Sequence, residues 1–369
     1  MKSVAPFPRR QFVFDATRLS ALYALAGAIP LPAFSSSFAG RARMDQTPIV
    51  DAGYAAVYKV KDGIYATISD TSKGFTTICN GGFLFGKDAG LVLEGFGTPS
   101  GSHFQLDAYH KVAQVPVTGA LLTHYHFDHS MGNTTYGANS IQFWGHANVA
   151  KRMMESYGAM QGADRAAFLA PSEKRVQNAK NDNARQHALG DLGAITNVFD
   201  MANKTSLAFP NRPLDPAKLP LQVDLGHFPL SIEHFPGHSG TDIIVRAPEQ
   251  KAVFTGDLVF SHSYPACFDE QCSMSSWRST LKTFASWDKD TTFVPGHGPI
   301  CGQEGIQSLR DLFDDLGEQA EKMHKAGVPL TDAFDQYIIP DKFKTYPVFA
   351  WGFCIGGAIA KLYAEMDVH

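Results

Sequence analysis

Between Leu121 and Asn133 the chain reads LLTHYHFDHSMGN, which puts His124, His126, Asp128 and His129 within six residues. Imidazole nitrogens and carboxylate oxygens are the ligands that Zn²⁺ accepts at about 2.0–2.2 Å. So dense a cluster points to metal binding rather than to a solvated loop. A short buried strand ending at Thr123 would run directly into it, with Gly132 allowing the turn beyond. If the loop curls at the strand end, His124 and His126 face one ion and Asp128 and His129 another. Three further residues stand beside glycine at the mouth of a strand: His238 in FPGHSGTDIIV, Asp257 in VFTGDLVF and His297 in TFVPGHGP. Each alone reads equally well as a cap, a turn former or a hydrogen-bonded histidine, and only the joint pattern argues for a shared site. Isolated residues nearby carry weaker signals: His262 and Tyr264 as cleft-lining groups, His146 as a helix cap.

The elements that would position these residues follow from periodicity. Strand-like runs at 55–60, 63–68, 76–85 and 91–94, separated by glycine-rich turns, predict an antiparallel meander. Helical spacing over 103–112 precedes a buried strand at 119–123, then a strand at 141–144 and a helix at 147–157. Residues 164–208, rich in Ala, Asn, Gln and Arg, read as a mostly helical insertion lying over one face and helping to shape the pocket. Four strand-like runs follow (LQVDLG, FPLSIEHF, DIIVRAP, KAVFTGD), then a helix at 275–287, a strand at 292–294 and a long amphipathic helix at 303–326. Leu309, Leu312, Phe313, Leu316, Ala320 and Met323 form the apolar stripe of that helix. The aromatic, apolar segment after Val328 is expected to complete the core. Two halves of similar plan predict a layered α/β domain over 50–369.

Composition narrows the function classes. The 369 residues are 44% hydrophobic and 18% charged with a net charge of −4, which excludes the basic footprint of a nucleic-acid binder and the charge excess of a disordered chain. No apolar run after the N-terminus reaches the roughly 20 residues a membrane span needs, so the expected partner is a small-molecule substrate. Residues 1–43 read as an export signal and linker. Arg9-Arg10 in PRRQFVF precedes an apolar stretch from Leu19 to Phe34, and Ser37-Phe38-Ala39 suits cleavage after Ala39. The alternatives are an amphipathic N-terminal helix or a start at Met44. Export would place the protein in the periplasm or outside the cell, where one or two of the five cysteines' disulfides could form, Cys267–Cys272 being the nearest pair.

The motif series H-x-H-x-D-H, G-H-S-G, T-G-D and G-H-G-P resembles the metallo-beta-lactamase superfamily, over about Ala55 to Ala326. That superfamily includes class B beta-lactamases, glyoxalase II, lactonases and alkylsulfatases. The resemblance implies an αβ/βα four-layer sandwich holding two Zn²⁺ ions, other divalent metals being alternatives. It implies that His124, His126 and His238 hold the first ion, Asp128, His129 and His297 the second, and that Asp257 bridges them. A metal-activated hydroxide would then attack an electrophilic centre, with Asp128 orienting the water or relaying its proton. Asp257 stands where class B beta-lactamases carry Cys or Ser, and Phe260 where many of them carry a substrate-holding lysine. Glu94 replaces the family's usual Asp, which bears on the support of the first loop. The expectation is an exported dinuclear zinc hydrolase of an amide or ester-like bond, with a beta-lactam among its candidate substrates. The alternatives are a lactonase or other ester or thioester hydrolase, and a non-catalytic periplasmic metal- or ligand-binding protein.

Overall fold

The computed structural model describes residues 47–367, so the expected export signal lies outside the described residues. Among the described residues, thirteen strands form two sheets. The first takes β1 (Val50–Asp51), β2 (Ala55–Lys61), β3 (Ile64–Ser69), β4 (Gly81–Phe85), β5 (Gly90–Leu93), β6 (Val117–Leu121), β7 (Gln142–His146) and β8 (Arg212–Leu214), in sequence order. It is antiparallel as far as β5 and parallel from β5 to β8. The second sheet runs β13-β12-β11-β10-β9, from β9 (Leu221–Asp224), β10 (Pro229–His234), β11 (Ile243–Ala247), β12 (Ala252–Phe260) and β13 (Thr292–His297). Its strands are antiparallel except for the β12–β13 pair.

Strand alternation sorts the core into layers, because successive side chains point to opposite faces. Ala56, Ile64, Leu84, Leu91 and Leu121 of the first sheet meet Ile243, Val245, Phe254 and Val294 of the second in one buried cluster between the sheets. Their neighbours Val57, Tyr65, Phe83, Val92 and Ala120 face outward, where they pack with Leu106 and Tyr109 of helix α1 (Pro99–Val112). On the far side, Ile244, Val253 and Phe293 pack against Trp277 and Leu281 of a later helix and against the stripe Leu309, Leu312, Phe313 and Leu316 of another. The result is helix, sheet, sheet, helix.

Further helices include α2 (Phe127–Ser130), α3 (Arg165–Gln177), α4 (Asp182–Lys204), α5 (Met274–Ala285), α6 (Gln303–Lys325) and α7 (Gly357–Met366), with shorter ones at Thr134–Ala138, Val149–Met153 and Leu330–Ala333. Residues 164–208 thus hold the pair α3 and α4, whose buried Leu169, Ile195, Val198 and Phe199 join the outer cluster of the first sheet. The C-terminal segment is built into the other outer cluster through Ile355, Ile359 and Leu362. All five cysteines are buried free thiols, so the expected Cys267–Cys272 bridge is not formed. Cys272 instead closes a turn, its N–H donating to Asp269 O at 3.1 Å. Among the described residues no helix is long and apolar enough to cross a membrane.

Candidate metal centre

The seven residues singled out from the sequence converge at one edge of the sandwich, where strands of both sheets end. His124 and His126 lie in the loop after β6, Asp128 and His129 in the single turn of α2, His238 between β10 and β11, Asp257 within β12, and His297 at the end of β13. They fall into two donor groups. His124, His126, His238 and Asp257 form one, and Asp128, His129, Asp257 and His297 the other, with all ligand atoms of a group within 4.8 Å of one another. Asp257 belongs to both.

Local structure explains the convergence. The β12 ladder shifts register between Phe254 and Gly256, and Gly256 takes a left-handed φ of 50°. A Cβ there would come within 2.4 Å of Thr123 Oγ1, so only glycine lets β12 pass the first loop while turning Asp257 inward. The two loops are tied together directly, Ile243 N–H donating to Thr123 O at 2.8 Å and Tyr125 N–H to Thr241 Oγ1 at 3.3 Å. Buried Asp242 accepts from Ser239 N at 2.8 Å and from Ser239 Oγ at 2.5 Å, which fixes the loop that carries His238. Asn80 binds β13 to the first sheet, donating from its backbone to Gly296 O at 2.7 Å and from Nδ2 to Gly298 O at 2.7 Å.

Within the first group the ring nitrogens nearly touch: His124 Nε2 and His238 Nε2 lie 3.0 and 2.8 Å from His126 Nδ1. Asp257 Oδ2 is 3.3 Å from His238 Nε2 and 3.8 Å from His124 Nε2. Ligands about 2.0–2.1 Å from a tetrahedral cation stand about 3.3 Å apart, so this spacing suits a shared cation. In the second group Asp257 Oδ1 is 3.1 Å from His129 Nε2 and 3.4 Å from His297 Nε2, and Asp128 Oδ2 is 3.0 Å from His297 Nε2. His129 Nε2 and Asp257 Oδ1 are buried and make no hydrogen bond despite their closeness. Buried polar atoms left in this state mark a place for a cation.

The outward-facing nitrogens of His124 and His126 have hydrogen-bond partners, which set the tautomers and aim the rings. His124 Nδ1 donates to Thr123 Oγ1 at 3.2 Å, and that hydroxyl donates to Glu94 Oε1 at 2.5 Å. His129 Nδ1 stands 3.2 Å from the same Glu94 oxygen. Glu94, a departure from the resemblance, therefore supports the loop with its extra methylene's reach rather than weakening it. His126 Nε2 lies 3.1 Å from Asp269 Oδ2, which also accepts from Tyr125 Oη at 2.5 Å. Arg152 is 3.6 Å from the other oxygen of Asp269. Burial opposes the ionised form of Asp269, but His126 and Arg152 hold its carboxyl well below the usual range. Asp269, Tyr125 and Arg152 are invisible in the sequence, because a lone acid in CFDEQC carries no spacing signal.

Protonation differs between the groups. Burial pushes His238 down to about 3 and His124 well below its ordinary value, so both rings are neutral and offer a lone pair. Burial opposes the charged form of His297 too, but Asp257 and Asp128 outweigh it and raise its pKa to about 9. His297 and His129 in turn hold Asp257 ionised against its burial.

The groups form the floor of a cavity of about 270 Å³ that His126, Asp128, Asp257 and His297 all reach. Tyr264 lines it, whereas His262 packs on Tyr346 with ring centroids 5.5 Å apart. No lining residue comes from 164–208, so the helical pair does not form the wall expected of it. It acts at one remove, Asp191 of α4 accepting from Gly352 N at 2.7 Å beside the C-terminal lining segment. His146 accepts from Asn148 N at 3.0 Å, at the start of a short helix. A wider groove of about 900 Å³, between α5, α6 and α7, holds none of the seven residues.

The model of the metallo-beta-lactamase superfamily matches residues 75–297, and the chain belongs to that superfamily. Its members are metal-dependent hydrolases, and this chain is one of them. Among solved structures, the stereoselective inverting sec-alkylsulfatase from Pseudomonas sp. is similar with a TM-score of 0.54 and 14% identity, over 84% of this chain and 50% of that one. Metallo-beta-lactamases from Pontibacter korlensis and Erythrobacter litoralis are similar at 14% and 17% identity, each with a TM-score of 0.49. They cover 70% and 72% of this chain and 99% of their own. At these identities the likeness is one of fold. No curated protein sequence gave a match.

Proposed function

We propose that the protein is an exported zinc hydrolase that cleaves an amide or ester-like bond at a two-metal site. The observation that carries the reading is the pair of donor groups sharing Asp257 on the floor of one cavity. His124, His126 and His238 would hold one ion, Asp128, His129 and His297 the other, and Asp257 would serve both. When bound, such a pair supplies Lewis acidity toward a carbonyl oxygen and lowers the pKa of water toward neutrality.

The chain's own groups do the rest. Asp128 reaches the cavity with Oδ2 3.0 Å from His297 Nε2, where it can orient a water and accept its proton. Phe260 and Phe268 lie against the floor, stacked on His297 and His126, and their apolar faces strengthen the charge interactions beside them. Glu94 and Asp269 keep the rings aimed. Export rests on Arg9-Arg10 and the apolar stretch after it, and is tested by N-terminal sequencing of protein recovered from the periplasm.

The test of function is metal content together with turnover of a chromogenic cephalosporin and a p-nitrophenyl ester. About two zinc ions per chain, with hydrolysis lost on chelation and restored by zinc, is the expected result. Bound zinc without hydrolysis of either compound would make the protein a metal- or ligand-binding protein instead.

A further inference from the structure

We propose that the substrate is an uncharged ester or lactone carrying an apolar chain, an inference that rests on the hydrolase reading above. The walls of the cavity are Phe75, Ile78, Phe260, Tyr264, Phe268 and Phe349, and among the described residues lining it none is Lys or Arg. The aromatic rings sit against the donor groups themselves. Phe268 stacks on His126 with centroids 4.8 Å apart, and Phe260 stacks on His297 at 5.0 Å and 15°. A substrate whose carbonyl reaches the floor must therefore lay its flanking atoms on benzyl faces.

Three hydroxyls of the wall, those of Tyr264, Ser263 and Ser72, are engaged elsewhere. Tyr264 Oη lies 3.2 Å from Tyr337 Oη, which donates to Asp315 Oδ2 at 2.7 Å. Ser263 Oγ donates to Pro347 O at 3.3 Å, and Ser72 Oγ to Asp70 Oδ1 at 2.5 Å. Polar partners for a ligand thus concentrate at the floor. A carboxylate or sulfate group set against the wall would lose its hydration and gain no counter-charge, whereas an alkyl chain there leaves water at a profit in free energy. The phenol of the wall, Tyr264, is engaged with Tyr337, so the leaving group's proton must come from Asp128 on the floor, and a leaving alcohol depends on that proton less than a leaving amine. Hydrolysis would add one water across the acyl C–O bond, giving a carboxylate, a proton and an alcohol.

Part of this wall lies outside the span that defines the superfamily. Phe349 belongs to the strap 347–354, beyond residues 75–297. Tyr264 N–H donates to Pro347 O at 3.0 Å and Cys267 N–H to Phe353 O at 2.7 Å, so backbone bonds lay the strap along the loop carrying Phe268. Gly352 N–H, bonded to buried Asp191 at 2.7 Å, anchors it from the other side. The strap is a fixed wall.

The experiment uses the full chain loaded with zinc. It measures kcat/KM for p-nitrophenyl esters from acetate to octanoate, for a cephalosporin carrying a carboxylate, and for p-nitrophenyl sulfate. In parallel, binding of unreactive methyl alkyl ketones of increasing length is followed by calorimetry. The expected result is a gain of about fourfold per methylene in both series, with the two anionic compounds poor substrates. Phe349→Ala and Phe260→Ser should each flatten the chain-length slope. A flat slope in the wild-type protein, or a preference for the cephalosporin or the sulfate, overturns the proposal. A steep ketone series with no hydrolysis of any compound would leave the apolar cavity assigned and sink the hydrolase reading instead.

Discussion

The two donor groups share a carboxylate yet are held in different ways. In the first, His124 and His126 have their outer nitrogens bonded to Thr123 and Asp269, and burial keeps His124 and His238 neutral. In the second, two carboxylates face His129 and His297, and the His297 side chain is 18% exposed at the cavity floor. The first group sets the neutral lone pairs of His124 and His238 beside the shared carboxylate of Asp257. The second is a balanced cluster of charges, open on one side, in which a proton and a cation compete for the same atoms. One site can thus hold an ion firmly while the other stays responsive to solvent.

Several changes would break or sharpen that contrast. The largest effect is expected from Asp257→Ala, which removes the donor common to both groups. Bound zinc should fall from about two per chain to one or fewer, and hydrolysis should be lost, with circular dichroism reporting an unchanged fold. Unaltered zinc content by mass spectrometry would remove Asp257 from both groups.

Next come the supporting carboxylates, whose loss costs about 10–100-fold in metal affinity at comparable sites. Asp269→Asn should weaken the first group only, because Asp269 touches His126 and neither His129 nor His297. Glu94→Gln should weaken both groups, since Glu94 receives the Thr123 hydroxyl behind His124 and faces His129. Stepwise zinc titration resolves the two constants, and equal losses from the two substitutions would dissolve the contrast.

The smallest effect per step is that of pH. His297, raised to about 9, keeps its proton at neutral pH until a cation displaces it. Against its burial, the carboxylates around His129 raise it well above its ordinary value too, so affinity of the second group should fall at least about tenfold per unit as pH drops below 9. His238, at about 3, has no proton to give up over that range, so the first group should stay level. Competition with a chromophoric chelator between about pH 6 and 9 measures both. Parallel slopes would contradict the assignment of charge.

Much of this architecture is legible in the residues because its signals are local. The alternation in Ala56–Val57 and Leu91–Val92, and the stripe from Leu309 to Met323, announce layers directly. His124 to His129 are close in sequence because one strand end delivers them, and glycine beside His238, Asp257 and His297 marks the other three ends. What escapes such reading is assembled by tertiary contact. Asp269 lies 143 residues from the His126 it supports, and nothing in CFDEQC signals that partner. The strap at 347–354 reads as ordinary core, since phenylalanine in a wall and phenylalanine in a core look alike. The helical insertion shows the reverse error: its helices are there, but they brace the strap through Asp191 instead of lining the cavity.

The ligands' origins have a consequence for heat resistance. His124, His126, Asp128 and His129 come from the first sheet's loops, whereas His238, Asp257 and His297 come from the second. Any ion held there is a rivet through both halves of the sandwich, and unfolding either half must first release it. A ligand at a hundredfold excess over its Kd stabilises a folded state by about 2.7 kcal/mol, so the melting temperature becomes a readout of the centre, independent of any substrate.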